Sequence, residues 1–222
     1  MPYHEIATRT RASIPAEVVS TVERRVRELC AEHAAGLPFH GWHHVNFVRT
    51  KGAEFAGLNG SDVSVVEVAA LVHDVNYMVR RNSPAAAGRN LRLEILAEAG
   101  VPPETARWID RIVCEAEMAS RHRDISREAQ ALSDADTLFK ALPVTPVVLA
   151  HRYHAENDVS LRDLATKIVG EQNGPYDAGF YFYGDHAASM YTRWAGVNLE
   201  LWRCILEALD DPDVTNLLDA TA

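Results

Sequence analysis

Residues 65 to 77 read Val65-Val66-Glu67-Val68-Ala69-Ala70-Leu71-Val72-His73-Asp74-Val75-Asn76-Tyr77, an almost wholly apolar run that ends in an imidazole and a carboxylate. A segment this apolar belongs in an interior. Its alanines and the length of the window favour a helix over a strand, with Asp62 placed to cap it. Burying a carboxylate beside an imidazole is costly unless something pairs with both. A divalent cation would, since it accepts nitrogen and oxygen donors together. A solvent-facing His-Asp pair at a helix end would leave the same trace, so the dipeptide needs company.

Working outward, helical spacing dominates. Ser13 can cap a helix through Val18, Val22, Val26 and Leu29 that stops at Gly36-Leu37-Pro38. A second helix is expected from about Gly41. Ser83-Pro84 opens one through Leu91 and Leu96, and Pro102-Pro103-Glu104 another through Trp108 and Val113. Asp134 to Leu142 is expected as a short helix stopped by Pro143, followed by helices across 147–153 and from Ser160 through Ile168. Residues 170–183, with Gly174-Pro175 and Phe180-Tyr181-Phe182, look irregular. A long helix should run from 185 to 209. Trp108, Trp194 and Trp202 sit among aliphatics and are expected in the core. No alternating strand pattern and no repeat appears. The expectation is one all-α domain over 1–222, with a core at about 36–145 and a helical extension at about 146–210.

Two further windows stand beside His73-Asp74. One is His40-Gly41-Trp42-His43-His44, where positions 40 and 44 would share a helical face. The other is Ser133-Asp134-Ala135-Asp136-Thr137-Leu138. Each alone has an ordinary structural explanation, as a cap or a surface group.

Taken in order, His, then His-Asp, then Asp, each on its own helix, these windows resemble the HD superfamily of metal-dependent phosphohydrolases. Phe39-His40-Gly41-Trp42-His43-His44-Val45 is similar to the tyrosine-His-Asn-Trp-x-His stretch of cyclic-nucleotide phosphodiesterases and of small HD phosphohydrolases. Leu71 to Tyr77 resembles the His-Asp-Val-Val-Tyr of the latter group, and Asp134 to Leu138 its Asp-Ala-Asp-x-Leu. The likeness spans roughly residues 36 to 210, with the closing part from Tyr183 to Leu206 only loosely similar. It implies an HD-domain helical bundle, with His44, His73, Asp74 and Asp136 as metal ligands and Asp134 as the alternative fourth. It also implies hydrolysis of a phosphate ester by metal-activated water, with Asp74 and His40 in the catalytic machinery. His40 occupies the position that donates a proton to the leaving oxygen.

Arg80, Arg81 and Arg89 follow the His-Asp pair, where a loop could bring them over phosphate. A solvated basic loop is the equal alternative. Lys51 and Lys140 are weaker candidates of the same kind. Trp42 could pack against a base or wall the pocket, and Phe180 to Tyr183 could line an entrance or an oligomer contact. Two nitrogen and two oxygen donors suit manganese, iron, cobalt, nickel or zinc, with magnesium at a possible second position. No histidine occurs from 75 to 121. Relatives with two metals, and the dinuclear-iron oxygenases of the same fold, place extra histidines there. Glu115 or Glu117 could substitute, although exposed helix carboxylates are the simpler reading. His151 and His154 read as surface or core groups. A metal-retaining regulatory module is the non-enzymatic alternative.

Composition sets the outer bounds. The chain has 222 residues, 47% of them hydrophobic, and a formal net charge of −9, which disfavours a nucleic-acid polymer as partner but leaves room for a small phosphorylated metabolite. Cys30, Cys114 and Cys204 form no CxxC pair and suggest reduced thiols in a cytoplasmic setting. Met1 to Glu5 shows no signal-peptide pattern, and no apolar run approaches a membrane span.

Overall fold

The computed structural model describes residues 13–219, and among these it is all-α with no strand. Met1 to Glu5 lies outside the described residues. Among the described residues no helix is long and apolar enough to cross a membrane. The order is α1 (Ala16–Glu32), α2 (Trp42–Asn59), α3 (Val63–Leu71), α4 (Asn76–Val79), α5 (Arg89–Glu98) and α6 (Pro103–Glu115). It continues with α7 (Arg127–Ala141), α8 (Ala150–Asn157), α9 (Leu161–Asp177), α10 (Asp185–Ala208) and α11 (Pro212–Asp219).

The bundle is organised around α3, which packs against α1, α2, α6 and α7. The Asp62 carboxylate caps it, accepting from the Ser64 and Val65 N–H groups at 2.9 and 3.2 Å. Val66, Val68, Ala69, Ala70 and Leu71 are fully buried. Ser13 does not cap α1, which starts after Pro15. Its hydroxyl instead reaches Asp62 Oδ1 at 3.3 Å, tying the α1 approach to the cap of α3.

Three helices depart from expectation. α7 begins at Arg127 rather than Asp134, because the Ser126 hydroxyl accepts from the Ala129 N–H and starts it seven residues earlier. Asp134 and Asp136 therefore both sit mid-helix. α9 continues across Gly170 and Pro175 to Asp177 where irregular chain was expected. Its packing on α10 is close: a Cβ at Gly196 would lie 2.4 Å from the Tyr176 hydroxyl, and this tertiary contact outweighs the local breaking signals. The stretch 145–149 forms a π turn before α8, and α11 was not anticipated.

The hydrophobic interior has two parts. The larger joins α1 to α7 and the start of α10. The smaller gathers Phe39, Phe139, Tyr153, Leu164, Ala165 and Trp202. Trp202 is buried as expected and Trp108 packs partly buried on the larger cluster, but Trp194 is 38% exposed. Trp194 occupies the α10 face turned away from the interior, which the local pattern of aliphatic neighbours did not disclose.

Candidate metal centre and its cleft

Three elements deliver the central groups. His44 lies in the first turn of α2, behind Gly41. His73 and Asp74 sit in the turn that leaves the C-terminus of α3. A helix C-terminus ends in unpaired carbonyls and partial negative charge. His73 Nδ1 faces one of these, the Ala70 carbonyl oxygen, at 2.7 Å. That bond places the proton on Nδ1 and leaves the Nε2 lone pair of neutral His73 facing inward.

The inward atoms crowd together. His44 Nε2 is 3.1 Å from His73 Nε2, and Asp74 Oδ2 is 2.9 Å from the first and 3.1 Å from the second. Asp74 Oδ2 is buried, yet accepts no well-directed hydrogen bond from either ring. Asp136 Oδ1 stands 3.6 Å from His44 Nε2. Ligands held about 2.1 Å from one ion lie about 3.0 Å apart at adjacent corners of an octahedron. His44, His73 and Asp74 can thus hold a metal ion as they stand, each offering one donor atom to a common point.

The electrostatics point the same way. Burial disfavours the His73 imidazolium, but the adjacent Asp74 carboxylate, with Asp136, outweighs it and raises its pKa. Burial dominates at His44 and lowers its pKa. At Asp74 the burial penalty is overcome by His73 and His44, which hold the carboxyl well below its usual range. The floor thus sets an ionised carboxylate against two imidazole nitrogens.

Asp136 and Asp134 part company. Asp136 Oδ2 is 2.6 Å from Lys140 Nζ, leaving Oδ1 toward the histidines. Asp134 instead accepts from the Tyr183 and Gly184 N–H groups at 2.7 and 2.8 Å and lies near Arg121, holding the entry to α10. Burial pushes its carboxyl up to about 6 against those partners. The structure brings Asp136 to the cluster and leaves Asp134 outside it, because residues two apart on a helix point about 200° apart.

His40 is not on α2. It lies in the approach loop, where its Nδ1 bonds Glu156 Oε1, while Glu156 Oε2 accepts from the Phe39 and His40 N–H groups at 2.8 and 2.9 Å. Its ring stacks on Tyr77 at 3.7 Å and 12°. Burial opposes ionisation of Glu156, but His40 and these N–H groups win and lower its pKa. Sequence reasoning missed Glu156. Nothing marks it among 31 acidic residues, and only its place against His40 in the fold reveals it.

A small hollow of about 80 Å³ over His73 and Asp74 adjoins a cavity of about 310 Å³ lined by His40, Phe39, Tyr153, Lys167 and Trp202. Tyr77, Ser83, Glu117 and Lys140 line both. Lys167 is held by Asn82 Oδ1 and the Tyr153 hydroxyl at 2.8 and 2.9 Å. The cations on this cleft are therefore Lys140 and Lys167. Arg80 and Arg81 are exposed and do not line it, and Arg89 turns to Asp110 at 3.4 Å. The loop that carries the arginines closes on α5 at Gly88, where a Cβ would meet the Asn76 backbone nitrogen at 2.7 Å.

The remaining candidates fall elsewhere. Lys51 pairs with Glu54, and Glu115 accepts from Ser126. Glu117 accepts from the Ala85 N–H while lining the cleft. Trp42 lies under Arg27 rather than in the pocket. Tyr181 and Phe182 are buried. His151 is exposed and His154 binds the Val159 carbonyl.

No family model and no curated protein matches the sequence. Among solved structures, the chain is similar to Bacillus subtilis YpgQ, with 18% identity and a TM-score of 0.60, over 89% of this chain and 99% of that one. A second structure of YpgQ, in complex with ADP, matches at 18% identity and a TM-score of 0.59 over the same shares. At this identity the likeness is one of fold.

Proposed function

We propose that this chain is an HD-type metal-dependent phosphohydrolase acting on a nucleotide or other small phosphorylated metabolite. The observation that carries the reading is the convergence of His44, His73 and Asp74 directly beneath a cleft that also presents His40 and two lysines. Asp136 Oδ1 is the fourth donor. Two imidazole and two carboxylate donors suit manganese, iron, cobalt, nickel or zinc. A divalent cation bound there supplies a Lewis acid and a more acidic water.

The rest belongs to the chain's own residues. Glu156 fixes the His40 proton on Nδ1, so that Nε2 is the nitrogen available to carry and release a proton to the departing oxygen. Lys140 and Lys167 offset phosphate charge, and Phe39, Tyr153 and Trp202 wall off a region suited to a planar or apolar group. The YpgQ complex with ADP supports trying nucleotides first. The free thiols of Cys30, Cys114 and Cys204 suit a reducing, cytoplasmic compartment.

The test is metal content of the purified protein, with and without His73→Ala, followed by release of phosphate or pyrophosphate from nucleotides and simple phosphate esters. About one transition metal per chain, lost in the variant together with turnover, supports the proposal. A metal-bound protein inert across that panel would instead indicate a binding module.

A further inference from the structure

The outer face of α10 carries a pattern that the cleft does not use. Met190, Trp194, Val197, Leu201, Cys204 and Ala208 follow one another at intervals of four, three, four, three and four residues. Four of them are large and uncovered: Met190 at 56%, Trp194 at 38%, Val197 at 58% and Leu201 at 40% exposure. Cys204 and Ala208 are exposed as well. The inner face of the same helix is a separate stripe, with Ala187, Ala195, Asn198, Leu199 and Trp202 buried. A four-three repeat is the seam of a two-helix coiled coil, in which each apolar side chain enters a hole on a partner helix.

We propose that α10 pairs antiparallel with α10 of a second copy of this chain, making a two-fold dimer. The partner is identified by the self-complementarity of the stripe. A two-fold axis at the level of Leu199 sets Val197 against Leu201 of the second copy, Trp194 against its Cys204, and Met190 against its Ala208. Every seam position is thereby filled by another seam position, large beside small at both ends.

Charge follows the same axis. Arg193 flanks the seam at one end and Glu207 at the other, and neither is in an ion pair among the described residues. The antiparallel arrangement brings each beside the other's counterpart. Glu200 lies near the axis, where it would approach its own copy. It is paired with Arg203 at 3.3 Å, which relieves that repulsion. The seam spans about 27 Å of helix, so the interface is modest and the dimer concentration-dependent.

The experiment is sedimentation equilibrium of the full chain over a wide concentration range, beside Leu201→Glu. The expected result is a monomer–dimer equilibrium whose dissociation constant rises at least about a hundredfold in the variant, which buries two charges per interface. Leu217→Glu, at a still more open leucine on α11, is expected to leave it unchanged. Register is read by Trp194→Cys. With diamide as oxidant, the new thiol and Cys204 of the second copy lose two protons and two electrons to form a disulfide, and Trp194→Cys with Cys204→Ser does not cross-link. Circular dichroism of each variant confirms the fold. A chain that stays monomeric throughout, a dimer indifferent to Leu201→Glu, or cross-linking without Cys204 overturns the proposal.

Discussion

The floor of the cleft and its far wall handle buried charge in opposite ways. On the floor, two imidazole nitrogens and Asp74 Oδ2 stand within 3.1 Å of one another, with a helix C-terminus behind, and Asp74 Oδ2 is buried without a hydrogen-bond partner. On the wall, Glu156 is nearly inaccessible, yet two backbone N–H groups and His40 satisfy it. Compensation missing from within the protein marks a place for a ligand. Compensation complete within it marks a part that positions something else.

Breaking the floor should have the largest effect. Asp74→Ala is expected to lower metal affinity by more than the about 10–100-fold typical of outer-sphere groups, and to abolish turnover with it. Metal titration by calorimetry reads this directly; unchanged affinity would put the ion elsewhere. The wall should respond differently. Glu156→Gln is expected to keep its metal while kcat falls about 10–100-fold, since His40 loses its carboxylate partner. If the variant lost its metal instead, the division between floor and wall would be mistaken.

The aspartate pair sharpens the contrast within a single helix. Asp136→Asn should weaken metal binding and leave melting nearly unchanged. Asp134→Asn should retain metal and cost about 1–3 kcal/mol of stability through its bonds to Tyr183 and Gly184. Thermal melts run beside metal titrations on both variants separate the two roles.

The smallest effect is in pH. Metal must displace the proton that apo His73 binds more tightly than an ordinary imidazole, because Asp74 and Asp136 outweigh its burial. Affinity is therefore full at alkaline pH and falls on acidification, beginning above the ordinary value of 6.5. A competition assay with a chelating dye measures the curve, and a flat response down to about pH 5 would contradict the raised pKa.

The three short windows were legible only together: each has an ordinary explanation as a cap or surface group, and it is their order along the chain that stands out. The all-α fold was legible because local spacing, caps and prolines act within one or two turns of the chain. Boundaries were less so. α7 starts at Arg127 behind the Ser126 cap, a signal passed over in favour of Asp134, and α9 runs through Pro175 because its contact with α10 outweighs the local breaking signals.

The sequence by itself determined that helices dominate and singled out His44, His73-Asp74 and the Asp134–Asp136 pair as candidates. Only the tertiary structure decided that Asp136 rather than Asp134 faces the cluster, that Lys140 and Lys167 rather than Arg80, Arg81 and Arg89 line the cleft, and that Glu156 holds His40. The physical reason is reach. Residue type and spacing specify what a helix face can offer, whereas a partner 116 positions away along the chain is chosen by how whole helices pack.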